Sequence, residues 1–368
     1  MSPKQIVLAI GTRKGLWLAR SAAVGSWSVN GPYLVMREVP SLAFLPSEGS
    51  PTLLAGVRSE HWGPVVVRSD DLGATWEETE DAAVRFPEDA GAALERIWQL
   101  HPDPERPELV WAGCEPSSLW RSTDGGRRFS LVRGLWEHPH RAEWFPGAGG
   151  AAVHSVVTDP SDEKRVTVAA STGGVYASVD GGETWQPRNR GIQASFLPDP
   201  EPEYGQCVHK IAADADGPTR LYAQNHGGVY RTDDAGERWT AIDAGLPGNF
   251  GFPVLAHPRR PGLIWVLPLV ADEHRLPPDG RLRLHRSEDG GESWDEVGAG
   301  MPEQSWNVVL RDAACVLALG DASADDPALV AFGTRDGCVY ASTDSGETVV
   351  EVAAHLPDVL CVRATLVS

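Results

Sequence analysis

The chain has 368 residues, of which 42% are hydrophobic, enough to build a sizeable core. Its 51 acidic and 32 basic residues give a formal net charge of −19, which argues against nucleic acid or an anionic membrane as a partner. No apolar run is long enough to span a membrane, and the N-terminal residues lack the apolar stretch of a secretory signal. The five cysteines form no CxxC pair, so we expect reduced thiols and a cytoplasmic location.

Short strands separated by Gly, Pro and Asp turns follow one another along the sequence. The first residues read as two strands, at 5–11 and 14–19. Later units of four strands repeat, and the chain ends on a lone strand that can complete the first unit. The first strands of the seven units are predicted near 37–45, 93–101, 151–159, 205–213, 250–257, 305–312 and 358–366.

One motif, Ser/Thr-x-Asp-x-Gly-x-x-aromatic, recurs through the chain. The Asp carboxylate can accept bonds from nearby backbone N–H groups, Gly supplies a positive φ, and the aromatic ring opens the next strand. In the last copy Val349 replaces the aromatic residue. A period near 54 residues indicates a repeat architecture. The copies start at Ser69, Ser122, Ser178, Thr232, Ser287 and Ser342.

These six boxes resemble the Asp-box (BNR-repeat) β-propeller superfamily, which includes sialidases, some endoglucanases, sortilin-type receptors and a photosystem assembly factor. The resemblance implies a single all-β domain over 1–368, a seven-bladed β-propeller of four-stranded blades. The C-terminal strand would pair with the N-terminal strands and close the ring, which removes exposed sheet edges. In that superfamily the boxes lie on the face away from the active site.

The opposite face carries the long loops, which on a rigid scaffold are the usual place for function. Its insertions are predicted at 77–92, 132–150, 187–206 and 268–281. On this face or near it lie Arg13, Arg58, Arg96, Arg275 and Arg335, which could form an anion-binding cluster. The Arg-Ile-Pro motif of sialidases is absent, so their arginine triad is not carried over.

The early residues of the innermost strands should ring the central opening. Counting five residues back from the turns at Asp159, Asp214, Asp312 and His101 gives His154, His209, Asn307 and Arg96. Two His, an Arg and an Asn are costly to bury without partners, so this ring is either a ligand site or a hydrated channel lining. We predict His154, His209, Glu115 and Tyr204 as catalytic candidates. We predict ligand contacts from Arg96, Asn307, His226, Arg335, Arg13, His61 and Trp144.

The histidines of this face match no known metal-site spacing, so the sequence predicts neither a metal nor another cofactor. The leading hypothesis is a sialidase-like protein that binds, and in one version hydrolyses, a small polar, anionic or carbohydrate-like ligand at the mouth of the channel. The alternative is a non-catalytic scaffold that binds a protein partner through the same loops. Fold alone does not choose between them.

Overall fold

A computed structural model describes residues 5–23, 26–45, 50–59, 61, 63–78, 83–147, 149–320, 323 and 326–367. Parts of the insertions predicted at 77–92 and 132–150 therefore lie outside the described residues. The described chain forms seven four-stranded antiparallel sheets with very little helix, which confirms the predicted seven-bladed β-propeller. No helix within these ranges is long and apolar enough to cross a membrane.

Each blade is a meander of consecutive strands, and only the first blade combines the two ends of the chain. The first blade contains β1 (Gln5–Thr12), β2 (Gly15–Ala23), β3 (Ser26–Tyr33) and β28 (Val359–Val367). The next three contain β4 (Glu38–Leu45), β5 (Thr52–Ser59), β6 (Gly63–Ser69), β7 (Glu77–Glu78); β8 (Arg96–Pro102), β9 (Val110–Glu115), β10 (Ser118–Ser122), β11 (Ser130–Leu131); and β12 (Val153–Asp159), β13 (Asp162–Ala170), β14 (Gly174–Ser178), β15 (Gln186–Pro187).

The remaining three blades contain β16 (Val208–Asp214), β17 (Gly217–Asn225), β18 (Gly228–Thr232), β19 (Thr240–Ala241); β20 (Val254–Ala256), β21 (Ile264–Val266), β22 (Leu284–Ser287), β23 (Asp295–Val297); and β24 (Val309–Ala318), β25 (Ala328–Thr334), β26 (Val339–Ser342), β27 (Val350–Ala353). A one-turn helix α1 spans Arg133–Trp136. Short 3₁₀ helices lie at Glu88–Ala90, Pro139–Glu143 and Pro278–Gly280. The first strand predicted at 305–312 lies instead at Val309–Ala318.

The ring closes through the C-terminal strand. Strand β28 pairs with β1 from Gln5↔Val367 to Thr12↔Val359, so it supplies the innermost strand of the first blade. The innermost strands then contact one another in cyclic order, β28, β4, β8, β12, β16, β20 and β24, and β24 contacts β28. Closure through β28 is therefore confirmed.

All six boxes fold into the same turn. In each, the Ser or Thr hydroxyl donates to the Asp carboxylate over 2.6–2.8 Å and accepts from the Gly N–H over 2.7–3.0 Å. The Gly φ lies between 83° and 97°, a left-handed conformation that suits glycine. The repeated turn joins the third and fourth strands, and so the connections at the opposite ends of the strands are free to vary.

Box tryptophans join neighbouring blades. The indole of Trp239 donates to Arg188 O over 2.8 Å, and that of Trp294 donates to Ile242 O over 2.7 Å. Both acceptors belong to the preceding blade. Each ring thus adds apolar burial between the sheets and satisfies its N–H at the same time.

Candidate functional site

A β-bulge recurs near the start of the innermost strands. In five of these strands the described pairings skip one residue relative to the partner strand. A bulge leaves one residue unpaired and turns its side chain out of the ladder. Because the blades are related by rotation, the bulges point these side chains toward the central opening. The residues are Leu360, Pro40, Trp98, His154 and His209.

A cavity of about 630 Å³ occupies this opening on the face that carries the long loops. Its wall combines the bulged residues with side chains from the loops between second and third strands, such as Arg13, His226 and Arg335. Phe196 and Phe252 add apolar surface. The volume falls in the range of small-molecule sites, roughly 300–1,000 Å³.

One side of the cavity is a chain of ion pairs. Arg335 and Arg13 both contact Asp358 Oδ2 at 3.0 Å. Arg13 also reaches Glu38 at 3.4 Å, and Arg96 contacts the other oxygen of Glu38 at 3.0 Å. Three arginines therefore share two carboxylates, and the rim keeps a positive excess within a strongly acidic protein.

Among the described arginines that line the cavity, Arg311 is the one that makes no ion pair. Its guanidinium lies 5.1 Å from the centre of the Trp98 ring, as does that of Arg96. Within the described chain Arg311 makes neither an ion pair nor a hydrogen bond, and its Nη1 is buried. Burial lowers the pKa of this guanidinium. An unpaired buried charge is costly, so this group is poised for an anionic partner.

The other charged residue of this strand, Asp312, is already neutralised. Lys210 Nζ contacts its carboxylate at 2.5 Å and Arg363 contacts it at 3.1 Å. Burial alone would raise the pKa of Asp312, but the two cations outweigh this effect and lower it. Asp312 is thus a neutralised anion in the cavity wall.

The wall opposite the arginine rim holds a thiol and two imidazoles. One ligand atom from each of Cys207, His209 and His226 lies within 4.8 Å of the others. His226 Nε2 contacts Asp272 Oδ1 at 2.6 Å, and His209 Nδ1 lies 2.5 Å from Gly251 O. The three side chains all line the cavity.

The electrostatics of this wall favour a thiolate. Burial alone would raise the pKa of the Cys207 thiol, but contacts with His209 and His226 outweigh burial and lower it to about 5. Burial alone would lower the pKa of His226, but Cys207 and Asp272 outweigh burial and raise it. A thiolate is both a nucleophile and a metal ligand, so the wall can support either chemistry.

His154 is a neutral residue of the cavity wall. It is almost completely buried, and burial lowers the pKa of its imidazole well below the ordinary range. Its Nε2 has no partner among the described residues. It can accept or donate one hydrogen bond to a ligand, and a proton-transfer role stays a prediction.

Six of the predicted site residues line the cavity, and five lie elsewhere. The six are Arg13, Arg96, His154, His209, His226 and Arg335. Glu115 is just behind the wall and accepts a 2.9 Å bond from the Trp98 indole. His61 is an exposed loop residue outside the cavity wall.

Trp144 and Tyr204 belong to the packing of the outer loops. The Trp144 ring is 7% exposed, packs 5.0 Å from the Tyr176 ring and donates to its hydroxyl over 3.3 Å. Tyr204 stacks on His140 and donates to Glu143 over 2.7 Å. Neither lines the cavity, because these contacts hold both side chains outside it.

The count back from the turn at Asp312 predicted that Asn307 occupies the position equivalent to His154 and His209, and this alignment is wrong. In β24, Val309 pairs with Thr334 and Ala314 with Phe332, so the residues between them oppose Gly333 alone. This wide bulge shifts the count, and Arg311 enters the cavity instead. Asn307 remains outside the wall and donates to Asp336 over 2.6 Å. In strand β8 the bulged residue is Trp98, two positions beyond Arg96.

Sequence reasoning missed Arg311, Trp98 and Cys207 as parts of the cavity wall. The sequence contained a signal for one of them, Cys207. Cys207 precedes His209 by two residues, and alternate residues of a strand share a face. The position of Arg311 depends on the width of a bulge, which has no such signal.

Comparison with known proteins gives distant similarity. No protein-family model matches the chain. An oligoxyloglucan-reducing end-specific xyloglucanase of Emericella nidulans is 26% identical over 233 residues, 54% of this chain and 27% of that protein. A xyloglucanase of Hypocrea jecorina is 26% identical over 285 residues, 66% of this chain and 30% of that protein. The chain spans less than a third of the length of these relatives.

Solved structures support the fold. An ancestral GH74 enzyme superposes with a TM-score of 0.58 at 14% identity, covering 89% of this chain and 38% of that one. YCF48 bound to D1 peptide superposes with a TM-score of 0.50 at 15% identity, covering 90% and 94%. The chain is therefore a seven-bladed β-propeller with distant sequence similarity to xyloglucanases.

Proposed function

We propose that the central cavity binds a small acidic sugar or a similar polyhydroxylated anion. The observation that carries the proposal is Arg311, a half-buried residue whose buried Nη1 has no partner among the described residues, in a cavity of ligand size. Its planar fork can bond a carboxylate or phosphate through two N–H groups. Arg96 lies against the same Trp98 ring and can contact the same anion.

The rest of the cavity wall suits the hydroxyl groups and the ring of such a ligand. His154 offers an unpaired Nε2 for a hydroxyl group. Phe252 and Phe196 offer apolar surface for a sugar ring, and Phe252 is itself stacked on His209 with centroids 5.0 Å apart. The similarity to xyloglucanases supports a carbohydrate, and the arginines of the cavity wall support an acidic one.

Hydrolysis by a carboxylate pair is not part of the proposal. That reaction needs one protonated and one free carboxylate on either side of the bond. Two carboxylates line the described wall, Glu38 and Asp312, and both are held by two cations. The cavity is thus better suited to binding than to this chemistry.

Thermal stabilisation of the full chain tests the proposal. The probes are glucuronic acid, N-acetylneuraminic acid, glucose 6-phosphate and a neutral xyloglucan oligosaccharide. At 100 times its dissociation constant, a ligand should stabilise the protein by about 2.7 kcal/mol. At least one acidic probe should do so. Arg311→Gln should weaken its binding by about 10- to 100-fold, the worth of a charged hydrogen bond of about 1.5–3 kcal/mol.

Arg121 provides a matched control. Its guanidinium also lies over an indole, 5.5 Å from the centre of the Trp111 ring, but outside the cavity. Arg121→Gln should leave binding unchanged. Equal binding of acidic probes to wild type and Arg311→Gln would overturn the proposal, and so would stabilisation by the neutral oligosaccharide alone.

A second candidate is a protein partner docked on the rim. Large apolar side chains are exposed on the loops of this face: Phe145 at 71%, Trp306 at 60% and Phe196 at 47%. YCF48 shares the fold, and one of its solved structures contains a bound D1 peptide. This candidate predicts that Trp306→Ala abolishes partner binding, whereas Arg311→Gln leaves it intact.

A further inference from the structure

The start of β16 and the end of β17 bring three potential metal ligands together. Val208 pairs with Asn225, so the residues just before and after them, Cys207 and His226, are neighbours. The backbone N–H of His226 donates to the backbone carbonyl of Cys207 over 3.1 Å and fixes this arrangement. His209 is the bulged residue of β16, and the bulge turns its ring toward the other two.

Each imidazole has an oxygen atom close to one of its nitrogens. Asp272 Oδ1 lies 2.6 Å from His226 Nε2 as an ion-pair contact, without the geometry of a hydrogen bond, and Arg275 in turn contacts Asp272 at 2.6 Å. Gly251 O holds His209 Nδ1. Metal-binding histidines almost always donate their second N–H to a carboxylate or a backbone carbonyl, which orients the ring and fixes the tautomer. This cluster contains both types of acceptor.

The Nδ1 atom of His226 is therefore left for a partner. His226 Nδ1 is buried and has no hydrogen-bond partner within the described ranges. Phe250 lies 5.2 Å from the His226 ring and 5.1 Å from the His209 ring, so the cluster has an apolar backing. A polar cluster of this kind is costly to bury unless something satisfies its inner atoms.

We propose that Cys207, His209 and His226 bind a divalent transition metal, zinc in preference to magnesium or calcium. One sulfur and two imidazole nitrogens are donors that zinc prefers, whereas magnesium and calcium prefer oxygen. Three protein ligands leave one tetrahedral position for water or substrate. Because all three side chains line the cavity, that position faces the space where Arg311 lies.

The same residues could instead form a nucleophilic site, with Cys207 as nucleophile, His226 as base and Asp272 as its orienting group. His209 separates the two hypotheses. A nucleophilic triad has no use for a second imidazole with its outer nitrogen fixed to a carbonyl, whereas a metal site uses it as the third ligand.

Cobalt titration of the chelator-treated full chain tests the metal site. Co²⁺ is the probe because its thiolate complexes show a charge-transfer absorption in the near ultraviolet, and Zn²⁺ should remove that band by displacement. Wild type should bind Co²⁺ with this band. Cys207→Ser should lose the band, while Cys338→Ser, a change at a half-buried thiol outside the cavity, should keep it.

Asp272→Asn provides a second readout. It should keep the band but weaken metal binding by about 10- to 100-fold, because the carboxylate orients His226 without touching the metal. The spectrum of the wild-type chain decides the question even if a variant fails to fold. Absence of the band in wild type would overturn the proposal. Alkylation of Cys207 by iodoacetamide at equal rates with and without Zn²⁺ would also overturn it and would favour the nucleophile.

Discussion

The buried hydroxyl of Ser287 holds together one of the six repeated turns, and its removal should be costly. It donates to Asp289 Oδ1 over 2.7 Å and accepts from the Gly291 N–H over 2.8 Å. Ser287 is 1% exposed and Gly291 is buried, so water cannot replace the lost acceptor in Ser287→Ala. An unsatisfied buried N–H costs about 1–3 kcal/mol, and the lost bond to Asp289 adds about 0.5–1.5 kcal/mol. We expect a total loss of about 1.5–4.5 kcal/mol.

Ser293→Ala is the matched control within the same turn. The Ser293 hydroxyl donates to Asp289 over 2.6 Å but is exposed, and the Ser293 backbone N–H continues to bind Asp289 after the change. Its loss should cost less than about 1 kcal/mol. Urea unfolding measures both variants as shifts of the midpoint at constant slope. Equal shifts for the two variants, or a change below about 0.5 kcal/mol for Ser287→Ala, would refute the assigned role of the buried hydroxyl.

Two further predictions concern closure of the ring and its stability in acid. Truncation after Pro357 removes β28, which leaves β1 with an open edge, so the shortened chain should aggregate or lose cooperative melting; melting as sharp as that of the full chain would contradict closure through β28. The Thr75 and Thr184 hydroxyls donate to Asp71 and Asp180, respectively. These bonds, together with weaker contributions from backbone N–H groups, lower the pKa of both carboxyls from 3.8 to about 2. A lowered folded-state pKa means that their stabilisation is complete above about pH 4 and is lost as the pH falls through about 2. Replacing both with Asn should therefore flatten the pH dependence of the urea midpoint in this range, and an unchanged profile would show that these carboxylates do not control acid unfolding.

The fold could be predicted from the sequence because the repeating chemistry is local. A turn such as the one at Ser178 needs only a hydroxyl, a carboxylate and a glycine at fixed spacing, and all three atoms lie within five residues. Six copies in phase then define the period. Closure of the ring could be predicted by counting strands. The first unit lacks its first strand and the last strand has no unit of its own, so the two should pair.

The site could be predicted only where the bulges are regular. Counting back from a turn located His154 and His209, because each of their strands contains one extra residue. The count failed in β24, where several residues oppose Gly333 alone. Bulge width depends on packing against neighbouring blades, so the periodic pattern carries no information about it, and Arg311 stayed hidden.

The expectation of no metal rested on linear spacing. Cys207 and His226 are separated by a whole hairpin, and only the pairing of β16 with β17 makes them neighbours. The orienting Asp272 comes from the next blade. Donor sets assembled across strands and blades, such as the one proposed above, leave little trace in a short motif, so linear spacing neither supports nor excludes them. The cytoplasmic location likewise stays a prediction.

The most direct test of the cavity as the functional site is a crystal structure of the full chain with the acidic sugar that stabilises it best. The account predicts that the anionic group lies within hydrogen-bond distance of the Arg311 guanidinium, with the sugar between Trp98 and the wall formed by His154 and His209. A ligand bound on the face of the Asp-containing turns, or on the outer rim with Arg311 untouched, would contradict it.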